Sequence, residues 1–253
     1  MILNAFNLEG KIALVTGCNT GLGQGMALGL AQAGCDIVGV NREEPAETQQ
    51  RVEALGRRFW SLQADLIRTE QVPRVVEQAI AAAGKIDILV NNAGIIRRED
   101  ALSFSEQDWD DVMNINTKSV FFLSQQVARH FIAQGQGGKI INIASMLSFQ
   151  GGIRVPSYTA SKSAVMGLTR LMANEWAKHG INVNAIAPGY MATNNTEQLR
   201  SDEGRSAEIL GRIPAERWGL PEDMMGPVVF LASSASDYVN GYTLAVDGGW
   251  LAR

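Results

Sequence analysis

Tyr158 and Lys162 stand four residues apart in the segment SYTASKS. Because four residues make roughly one helical turn, a helix through this segment would place both side chains on one face. An unperturbed phenol, with a pKa of about 10, accepts protons poorly at neutral pH, but a nearby cation favours the phenolate. A downward shift of roughly three units corresponds to about 4 kcal/mol. The pair predicts a tyrosine that exchanges protons with a substrate; two neighbouring surface residues are the alternative.

A glycine-rich turn follows the first apolar run, in the segment TGCNTGLGQG. Gly17, Gly21 and Gly23 place residues without a Cβ where a backbone must bend tightly or approach a pyrophosphate. A helix opening here would also offer free N–H groups to the anion. Met26 rules out the common G-x-G-x-x-G pattern, and no Gly-Lys-Ser/Thr ending follows. The turn predicts a dinucleotide phosphate site; an ordinary strand–helix connection is the alternative.

The elements that must position these residues alternate along the chain between short apolar runs and stretches of helical spacing. Most runs lack strict in–out alternation, as expected of parallel strands covered on both faces. The alternation implies right-handed crossovers, so we predict an α/β protein with a Rossmann-type doubly wound parallel sheet and helices on both faces. The predicted strands are Lys11–Gly17, Asp36–Val40, Ile86–Gly94, Gly138–Ser145, Ile181–Gly189 and Tyr242–Gly249. The predicted helices are Gly21–Ala33, Glu70–Ala83, Ser105–Gln134, Ser157–Lys178 and Pro221–Leu231.

Two helix ends and one irregular stretch carry further signals. Ser105 with Asp108 three residues later predicts an N-terminal capping pair. Gly180, after the basic residues of AKHG, predicts a helix C-terminus. Residues 191–219 are the least regular part of the chain, and we predict a helical insertion or lid on the substrate side. With no repeat and no linker, residues 1–253 predict a single domain.

The composition bounds the class of protein. Lys and Arg number 22 and Asp and Glu 26, a net charge of −4 without a basic run suited to nucleic acid. Cys18 and Cys35 are too few for a disulfide framework and favour a reducing compartment. The N-terminus does not resemble a secretory signal, and no stretch approaches the roughly eighteen apolar residues of a membrane span. We expect a soluble, cytoplasmic protein that binds neither nucleic acid nor membrane.

The end of the second predicted strand carries a divided signal about the dinucleotide. An acidic residue there binds the ribose hydroxyls, whereas a basic residue accepts a 2′-phosphate. This chain has Asn41 followed by Arg42, Glu43 and Glu44. Asn41 can bond a hydroxyl without repelling a phosphate, and Arg42 can bind phosphate or point to solvent. These residues leave the choice between NAD and NADP open.

Seven motifs, taken together, resemble the short-chain dehydrogenase/reductase family over essentially the whole chain. They occur in the family's order and include every member of its catalytic set. They are TGCNTGLG, ADL at 64–66, NNAG at 91–94, NIN at 114–116, Ser145, YTASK at 158–162 and PGYMAT at 188–193. The resemblance implies a hydride transfer between a nicotinamide cofactor and a carbonyl or alcohol.

The resemblance implies four catalytic residues. Tyr158 matches the acid/base tyrosine, and Lys162 matches the lysine that lowers its pKa and binds the nicotinamide ribose. Ser145 matches the serine that holds the substrate oxygen. Asn116 matches the asparagine that anchors a water leading to the lysine. For Ser145 and Asn116, a turn hydroxyl and a helix-bending asparagine are the alternatives.

The resemblance also implies the cofactor contacts. Asp65 matches the residue that receives the adenine, Asn92 and Gly94 line the adenosine side, and Thr193 bonds the carboxamide. NAD(H) is favoured by the closer resemblance, and NADP(H) stays open because Asn41 replaces the family's usual Asp. The full predicted set is Gly17, Asn19, Thr20, Gly21, Leu22, Gly23, Asn41, Asp65, Leu66, Asn92, Ala93, Gly94, Tyr158, Lys162, Pro188, Gly189, Met191 and Thr193.

Within the family the sequence most resembles enzymes that act on keto-deoxy sugar acids in the breakdown of pectin and alginate uronates, and such enzymes are commonly homotetramers. A sugar acid carries a carboxylate, so a positioned cation is expected. Arg154, four residues before Tyr158, is the favoured clamp, with Arg97 and Arg98 as alternatives. The predicted substrate pocket contains Ser145, Met146, Gln150, Arg154, Tyr158 and Tyr190, with Trp218 a further candidate.

Three other functions stay open at this point. The substrate can be another carbonyl compound, such as gluconate, a ketoacyl thioester or a steroid ketone, because the fold is shared among them. A non-catalytic dinucleotide-binding protein is a further alternative, although such proteins usually lack part of the catalytic set. His130 and His179 lack metal-ligand spacing, so no metal site is expected.

Overall fold

A seven-stranded sheet lies at the centre of the computed structural model, which describes residues 1–253. Its strands are all parallel and are ordered β3-β2-β1-β4-β5-β6-β7. The strands are β1 Ile12–Thr16, β2 Asp36–Asn41, β3 Phe59–Gln63, β4 Ile88–Asn91, β5 Gly138–Ile143, β6 Ile181–Pro188 and β7 Thr243–Val246. The chain order reverses between β1 and β4, and there a crevice forms at the carboxyl ends of the strands.

Nine α-helices connect or flank the strands. They are α1 Gly21–Gln32, α2 Ala46–Ala54, α3 Val72–Ala83, α4 Glu106–Met113, α5 Ser119–Gln134, α6 Pro156–Trp176, α7 Glu197–Ser201, α8 Glu203–Arg212 and α9 Met225–Ala232. Alternate residues of the strands enter two separate apolar clusters, one containing α1 and α9 and the other α3, α5 and α6. Successive strand residues point to opposite faces. The predicted doubly wound sheet is therefore confirmed.

Both predicted helix ends are present. Ser105 caps α4, because its Oγ accepts a hydrogen bond from the backbone N–H of Asp108 at 3.1 Å. Gly180 follows a 3₁₀ turn at Ala177–His179 with φ of 72°, the left-handed conformation that favours glycine. The single helix predicted for 105–134 is instead α4 and α5, joined by a π-helical turn at Asn114–Lys118.

The sequence analysis missed two elements, the strand β3 and the helix α2 that precedes it in the chain. The strand β3 lies at the edge of the sheet, and only Phe59 in it is buried. The helix α2 buries only Thr48 and Val52. A short strand with two polar residues and a largely exposed polar helix show little apolar periodicity, so neither produced a recognisable pattern.

Residues 191–219 leave the sheet and return to their starting point. They contain α7 and α8. Met191 pairs with Gly219 in an isolated bridge, and the N–H of Ala192 donates to the carbonyl of Gly219 at 2.7 Å. The N–H of Gly219 donates to the carbonyl of Tyr190 at 2.9 Å. The segment is thus a helical excursion with a hydrogen-bonded base.

Candidate active site

A cleft of about 430 Å³ opens at the carboxyl ends of the strands, at the point where the strand order reverses. Fifteen of the eighteen predicted cofactor residues line it. They are Gly17, Asn19, Thr20, Gly21, Leu22, Gly23, Asn41, Asp65, Leu66, Asn92, Ala93, Gly94, Tyr158, Lys162 and Thr193. Residues scattered over most of the chain are therefore brought to one crevice, which is where open α/β sheets bind ligands.

The glycine turn has the shape that close approach of a phosphate requires. Gly17 and Gly21 adopt φ of 64° and 57°, which side chains rarely tolerate. A Cβ at Gly23 would collide with the carbonyl of Gly17 and the side-chain amide of Asn92. Thr20 precedes α1 without a capping hydrogen bond from its side chain, so the first N–H groups of the helix stay free for an anion.

The loop after β4 is bonded directly to the glycine turn. The Asn92 side-chain amide donates to the carbonyls of Thr16 and Gly17 at 3.0 and 2.9 Å. The Thr16 hydroxyl accepts from the N–H groups of Asn92 and Ala93 at 3.0 and 2.9 Å. Asn92 thus shapes the cleft through the neighbouring strand end. Thr16 was missed as a site-forming residue, although its place directly before Gly17 was the available signal.

The ribose end of the cleft contains Asn41, Arg42 and Glu43. Asn41 is buried and donates to the Cys18 sulfur at 3.5 Å, while its Oδ1 has no hydrogen-bond partner within the protein. Arg42 and Glu43 form an exposed ion pair at 3.3 Å. Burial raises the pKa of the Cys18 thiol to about 11, so it stays protonated at neutral pH and is no nucleophile. The orphaned oxygen and the ion pair fit a ligand with hydroxyl or phosphate groups.

Lys162 reaches the cleft floor from α6. Its Nζ donates to the carbonyl of Ile143 at 2.6 Å and lies 5.5 Å from the ring centroid of Tyr158. The residue is 5% exposed, and burial lowers the pKa of its ammonium group to about 8. Both members of the predicted pair therefore line one cleft, as the helical spacing required.

Tyr158 differs from the sequence-based expectation in its acidity. Burial raises the pKa of its phenol above the ordinary value, whereas a hydrogen bond with Ser145 and the charge of Arg98 oppose that rise. Ser145 and Arg98 are thus the groups that favour the phenolate, and the lowering of this pKa by Lys162 stays a prediction.

Ser145 follows β5 and is 8% exposed. Its Oγ accepts a hydrogen bond from the N–H of Leu147 at 3.2 Å, which opens a 3₁₀ turn at Met146–Ser148. With one lone pair used in this way, the hydroxyl proton stays available to the phenol or to a substrate oxygen. The strand end and the turn together aim Ser145 at Tyr158.

Asn116 lies in the π-helical turn and is completely buried. Its Oδ1 accepts from the N–H of Ile95 at 2.9 Å, and its Nδ2 donates to the carbonyl of Ile95 at 2.9 Å and to Ser161 Oγ at 3.1 Å. Both amide protons are thus used within the protein. The side chain shapes the loop after β4, and the implied water-anchoring role stays a prediction.

The predicted substrate residues Gln150 and Tyr190 do not line the cleft and belong instead to the surroundings of an aromatic cluster. The Tyr190 ring lies 5.6 Å from that of Trp218 and 4.8 Å from that of Trp250, both edge-on. Met146 is buried in the same apolar cluster rather than lining the cleft. Gln150 Oε1 accepts a hydrogen bond from the indole N–H of Trp250 at 3.1 Å. Trp250 was missed by the sequence analysis.

The three candidate arginines have different surroundings. Arg154 does not line the cleft; it is exposed, adopts φ of 62° and pairs with Asp100 at 3.4 Å. Arg97 pairs with Asp108 at 3.1 Å. Arg98 lines the cleft beside Tyr158 and donates one hydrogen bond, to the carbonyl of Asn195 at 3.0 Å. The geometry therefore favours Arg98 over the predicted Arg154.

Three predicted cofactor residues stand behind the cleft wall. Pro188, Gly189 and Met191 do not line the cleft, and Met191 is buried in the core. A Cβ at Gly189 would press on Asp247, so this glycine allows the C-terminal segment to pack closely. The neighbouring residues Asn194, Asn195 and Thr196 line the cleft and were missed, because the motif PGYMAT ends before them.

The histidines and acidic residues of the chain form no cluster suited to a metal. No group of three or more His, Cys, Asp or Glu residues is arranged to hold a metal ion. His130 Nε2 accepts from the N–H of Ile86 at 3.3 Å, which is a structural role. No helix combines the length and the apolar character that crossing a membrane requires.

The cleft, its glycine turn and the Tyr–Lys pair define a class of protein that comparison also finds. The sequence model of the short chain dehydrogenase family matches residues 11–204. The chain belongs to this family. It is an oxidoreductase that acts on CH–OH groups with a nicotinamide cofactor, which the cleft residues are suited to hold.

Individual relatives are similar over their whole length. The 2-dehydro-3-deoxy-D-gluconate 5-dehydrogenase of Escherichia coli is 79% identical over 253 residues, which is 100% of both chains. A crystal structure from Agrobacterium tumefaciens with bound NADP is 57% identical, with a TM-score of 0.93 over 99% of this chain and 100% of that one. A gluconate 5-dehydrogenase from Burkholderia cenocepacia, in complex with NADP and tartrate, is 42% identical, with a TM-score of 0.96 over 100% of both. Because these two structures hold NADP, the expected preference for NAD(H) is not confirmed.

Proposed function

We propose that this protein oxidises the C5 hydroxyl of 2-dehydro-3-deoxy-D-gluconate to the 2,5-diketo acid, reversibly, with a nicotinamide dinucleotide. The observation that carries the proposal is the pair Tyr158 and Lys162 in one cleft, with Ser145 hydrogen-bonded to the phenol, in a chain 79% identical to an enzyme of that name. A bound dinucleotide supplies the acceptor or donor of hydride, and the protein must supply the proton chemistry and the orientation.

The proton chemistry belongs to Tyr158. In oxidation the phenolate takes the proton of the substrate hydroxyl, and in reduction the phenol returns it to the oxygen of the ketone. The Ser145 hydroxyl bonds the same oxygen and stabilises the charge that develops on it. Lys162, with Nζ on the carbonyl of Ile143, adds positive charge to the floor of the cleft and remains free to bond ribose hydroxyls.

The substrate carboxylate is assigned to Arg98. This guanidinium lines the cleft, forms no ion pair and uses one hydrogen bond on the carbonyl of Asn195, so further N–H groups remain for an anion. Arg98 and Tyr158 line the same cleft, and the charge of the guanidinium acts to lower the pKa of the phenol. A planar guanidinium matches a carboxylate in geometry as well as in charge.

Exchange of Arg98 for Met should raise KM for the sugar acid roughly 10- to 100-fold, the effect of about 1.5–3 kcal/mol expected for a hydrogen bond to a charged group. Arg154→Met is the matched control and should leave KM within about twofold, because exposed ion pairs contribute little. Steady-state kinetics of both variants decide the assignment. If Arg154→Met alone raises KM, the clamp is Arg154, as the sequence suggested.

We propose that the protein accepts both NAD(H) and NADP(H). No carboxylate occupies the position of Asn41, whose free oxygen suits a ribose hydroxyl, and Arg42 lies beside it with an exposed Glu43 as partner. Related structures with bound NADP support the phosphate as a second ligand. We expect Arg42→Ala to lower kcat/KM for NADPH by roughly tenfold while kcat/KM for NADH changes little.

The direct test is initial rates, measured at 340 nm with NADH and NADPH. The reduction panel contains the 2,5-diketo-3-deoxy acid and 5-keto-gluconate; the oxidation panel contains 2-dehydro-3-deoxy-D-gluconate and D-gluconate. We expect the deoxy acid of each panel to give the highest kcat/KM. Gluconate is the second candidate, because a gluconate 5-dehydrogenase shares the fold with a TM-score of 0.96. Faster turnover of the gluconate pair would replace the proposal, and no turnover of either would refute it.

The proposal includes assembly into a homotetramer. Strand β7 is an edge strand, paired only with β6, and α9 carries the sequence MGPVVFLA without a charged residue. A helix without a polar face is typically covered on all sides. Light scattering on the purified protein should give about four times the chain mass of 27.3 kDa. A monomer at micromolar concentration would contradict the assembly and leave the catalytic proposal intact.

A further inference from the structure

The last turn of the chain is built into the substrate side of the molecule. Trp250 begins a 3₁₀ turn at Trp250–Ala252 and is 4% exposed. Its indole packs with Met146, Ile209 and Ile213 in one apolar cluster. Three separate parts of the chain therefore meet at one side chain: the turn after Ser145, the helix α8 and the C-terminus.

The backbone before Trp250 is held in a conformation that presents the indole inward. Gly248 and Gly249 have φ of 65° and 90°. The Asp247 carboxylate accepts from the N–H groups of Gly249 and Leu251, each at 2.9 Å. The carbonyl of Gly248 accepts from the N–H of Ala215 at 3.0 Å. On its other side the indole ring contacts the guanidinium of Arg212, whose Cζ lies 4.0 Å from the ring centroid.

The indole N–H of Trp250 forms a hydrogen bond with the side chain of Gln150. Trp250 Nε1 donates to Gln150 Oε1 at 3.1 Å. An indole N–H can only donate, so it selects the oxygen of the amide and fixes which way the amide points. The amide Nε2 of Gln150 then remains as the end of the group that can bind a ligand, and it is a donor only.

Gln150 lies on the turn that begins at the catalytic serine. The N–H of Gln150 donates to the carbonyl of Met146 at 3.2 Å, and the carbonyl of Ser145 accepts from the N–H of Ser148 at 2.9 Å. Gln150 is only partly buried, and its backbone lies on the segment that follows Ser145. A donor at this place complements hydroxyl and carboxylate oxygens, with which a sugar acid is rich.

We propose that Trp250 is a positioning residue that holds the Gln150 amide with its nitrogen toward the substrate oxygens, so that the C-terminal turn sets the affinity for the sugar acid. Trp250 acts through Gln150 and contacts no reacting atom. The chemical identity of the sugar acid rests on the proposed function. The contact between Trp250 and Gln150 does not.

A double-mutant cycle tests this coupling. Trp250→Phe keeps a ring in the cluster but removes the N–H, and we expect KM for the sugar acid to rise about tenfold with kcat within about threefold. Gln150→Met should raise KM by a similar factor. If Trp250 acts through Gln150, Trp250→Phe has no further effect in the Gln150→Met background, because the two single changes remove one interaction.

Gln150→Glu distinguishes the role of the amide oxygen from that of the amide nitrogen. A glutamate still offers an oxygen to the Trp250 N–H, but it replaces the free donor by a negative charge. We therefore expect a rise in KM larger than that of Gln150→Met. The dissociation constant of NADH, measured by fluorescence titration, should stay unchanged in all variants, and the thermal unfolding midpoint identifies any variant that folds poorly.

The kinetics use whichever sugar acid of the panel the wild-type protein turns over fastest, so a wrong substrate assignment leaves the cycle interpretable. Multiplicative effects of the two single changes on KM would overturn the proposal. It would also be overturned if Trp250→Phe lowered only the unfolding midpoint at unchanged KM, which is the result expected of a merely structural tryptophan. If Trp250→Phe does not fold, a Gln150→Glu variant with wild-type KM overturns the proposal by itself, and one with a raised KM supports it.

Discussion

The dinucleotide cleft and the aromatic cluster proposed as the substrate side are held together in different ways. On the dinucleotide side, the N–H of Gly17 donates to the carbonyl of Val40 at 2.8 Å, and the Asn92 amide bonds the carbonyls of Thr16 and Gly17. These bonds join the ends of neighbouring strands. On the substrate side, the indole of Trp250 reaches Gln150, 100 residues earlier, and packs against Tyr190. The first side is thus fixed by the sheet, and the second by side chains from separate segments.

Because of this difference, the two sides should respond differently to substitutions. The phosphate cradle consists of the glycine turn after β1 and the strand ends that are hydrogen-bonded to it, and a Cβ at Gly23 has no room there. We expect it to tolerate few substitutions, because its hydrogen bonds also hold the ends of neighbouring strands together. The aromatic cluster of Tyr190, Trp218 and Trp250 lies outside the sheet, and we expect that its side chains can be altered one at a time without disturbing the strands. We therefore expect changes on the substrate side to move KM and changes on the dinucleotide side to move stability.

The largest effect should come from the residue at which both sides meet. Tyr158→Phe removes the proton donor and acceptor, and we expect kcat to fall by about 10²- to 10⁴-fold. Cofactor binding should persist, since the phosphate cradle is untouched. Because burial raises the pKa of Tyr158, the wild-type oxidation rate should increase with pH above neutrality. Near wild-type turnover of the variant, with cofactor bound, would end the assignment.

A glycine substitution in the cradle should affect stability next most strongly. Gly23→Ala places a Cβ against the Gly17 carbonyl and the Asn92 amide, and we expect a loss of about 2–3 kcal/mol in the free energy of unfolding together with weaker NADH binding. The matched control is Gly167→Ala in α6, where a Cβ meets nothing within 4 Å. That control should be neutral or stabilising by up to about 1 kcal/mol. Equal effects of the two changes in urea unfolding would contradict the rigid cradle.

The buried ammonium group of Lys162 should lower the stability of the folded protein at neutral pH. Its pKa is held at about 8 against an ordinary 10.5, so between these values the unfolded chain binds more protons and wild-type stability rises with pH. Lys162→Met lacks that rise. We expect the variant to be more stable than wild type at pH 7 by about 1–3 kcal/mol, a lead that closes near pH 10.5, and to have lost most activity. If the free energies of unfolding of the variant and the wild type instead change in parallel from pH 7 to 10, the pKa of Lys162 is not lowered in the folded protein.

The smallest effect should come from Arg154, outside both sides. Its φ of 62° suits glycine, and its exposed ion pair with Asp100 contributes little. Because relief of the strained backbone is offset by the greater entropy of an unfolded glycine, Arg154→Gly should change the free energy of unfolding by no more than about 0.5 kcal/mol. KM for the sugar acid should stay the same. A clear rise in KM would extend the substrate side to this loop.

The same contrast explains what the sequence could predict. Gly17, Asn92, Tyr158 and Lys162 were identified because each stands in a short motif whose spacing carries the chemistry. The contact of Trp250 with Gln150 joins residues far apart in the chain, and no local pattern announces it. Arg154 was favoured over Arg98 on its distance from Tyr158 along the chain, but a left-handed backbone at residue 154 and the partner Asp100 direct that side chain elsewhere.

Trp250 comes after all seven strands in the sequence, so the residue that fixes Gln150 belongs to no strand of the sheet. All seven strands and every residue of the phosphate cradle precede residue 247, so a polypeptide stopped there contains every residue of the sheet and of the nucleotide crevice. It would lack the indole that fixes Gln150. Removal of the Trp250 turn is therefore expected to weaken the grip on the sugar acid more than the grip on the dinucleotide.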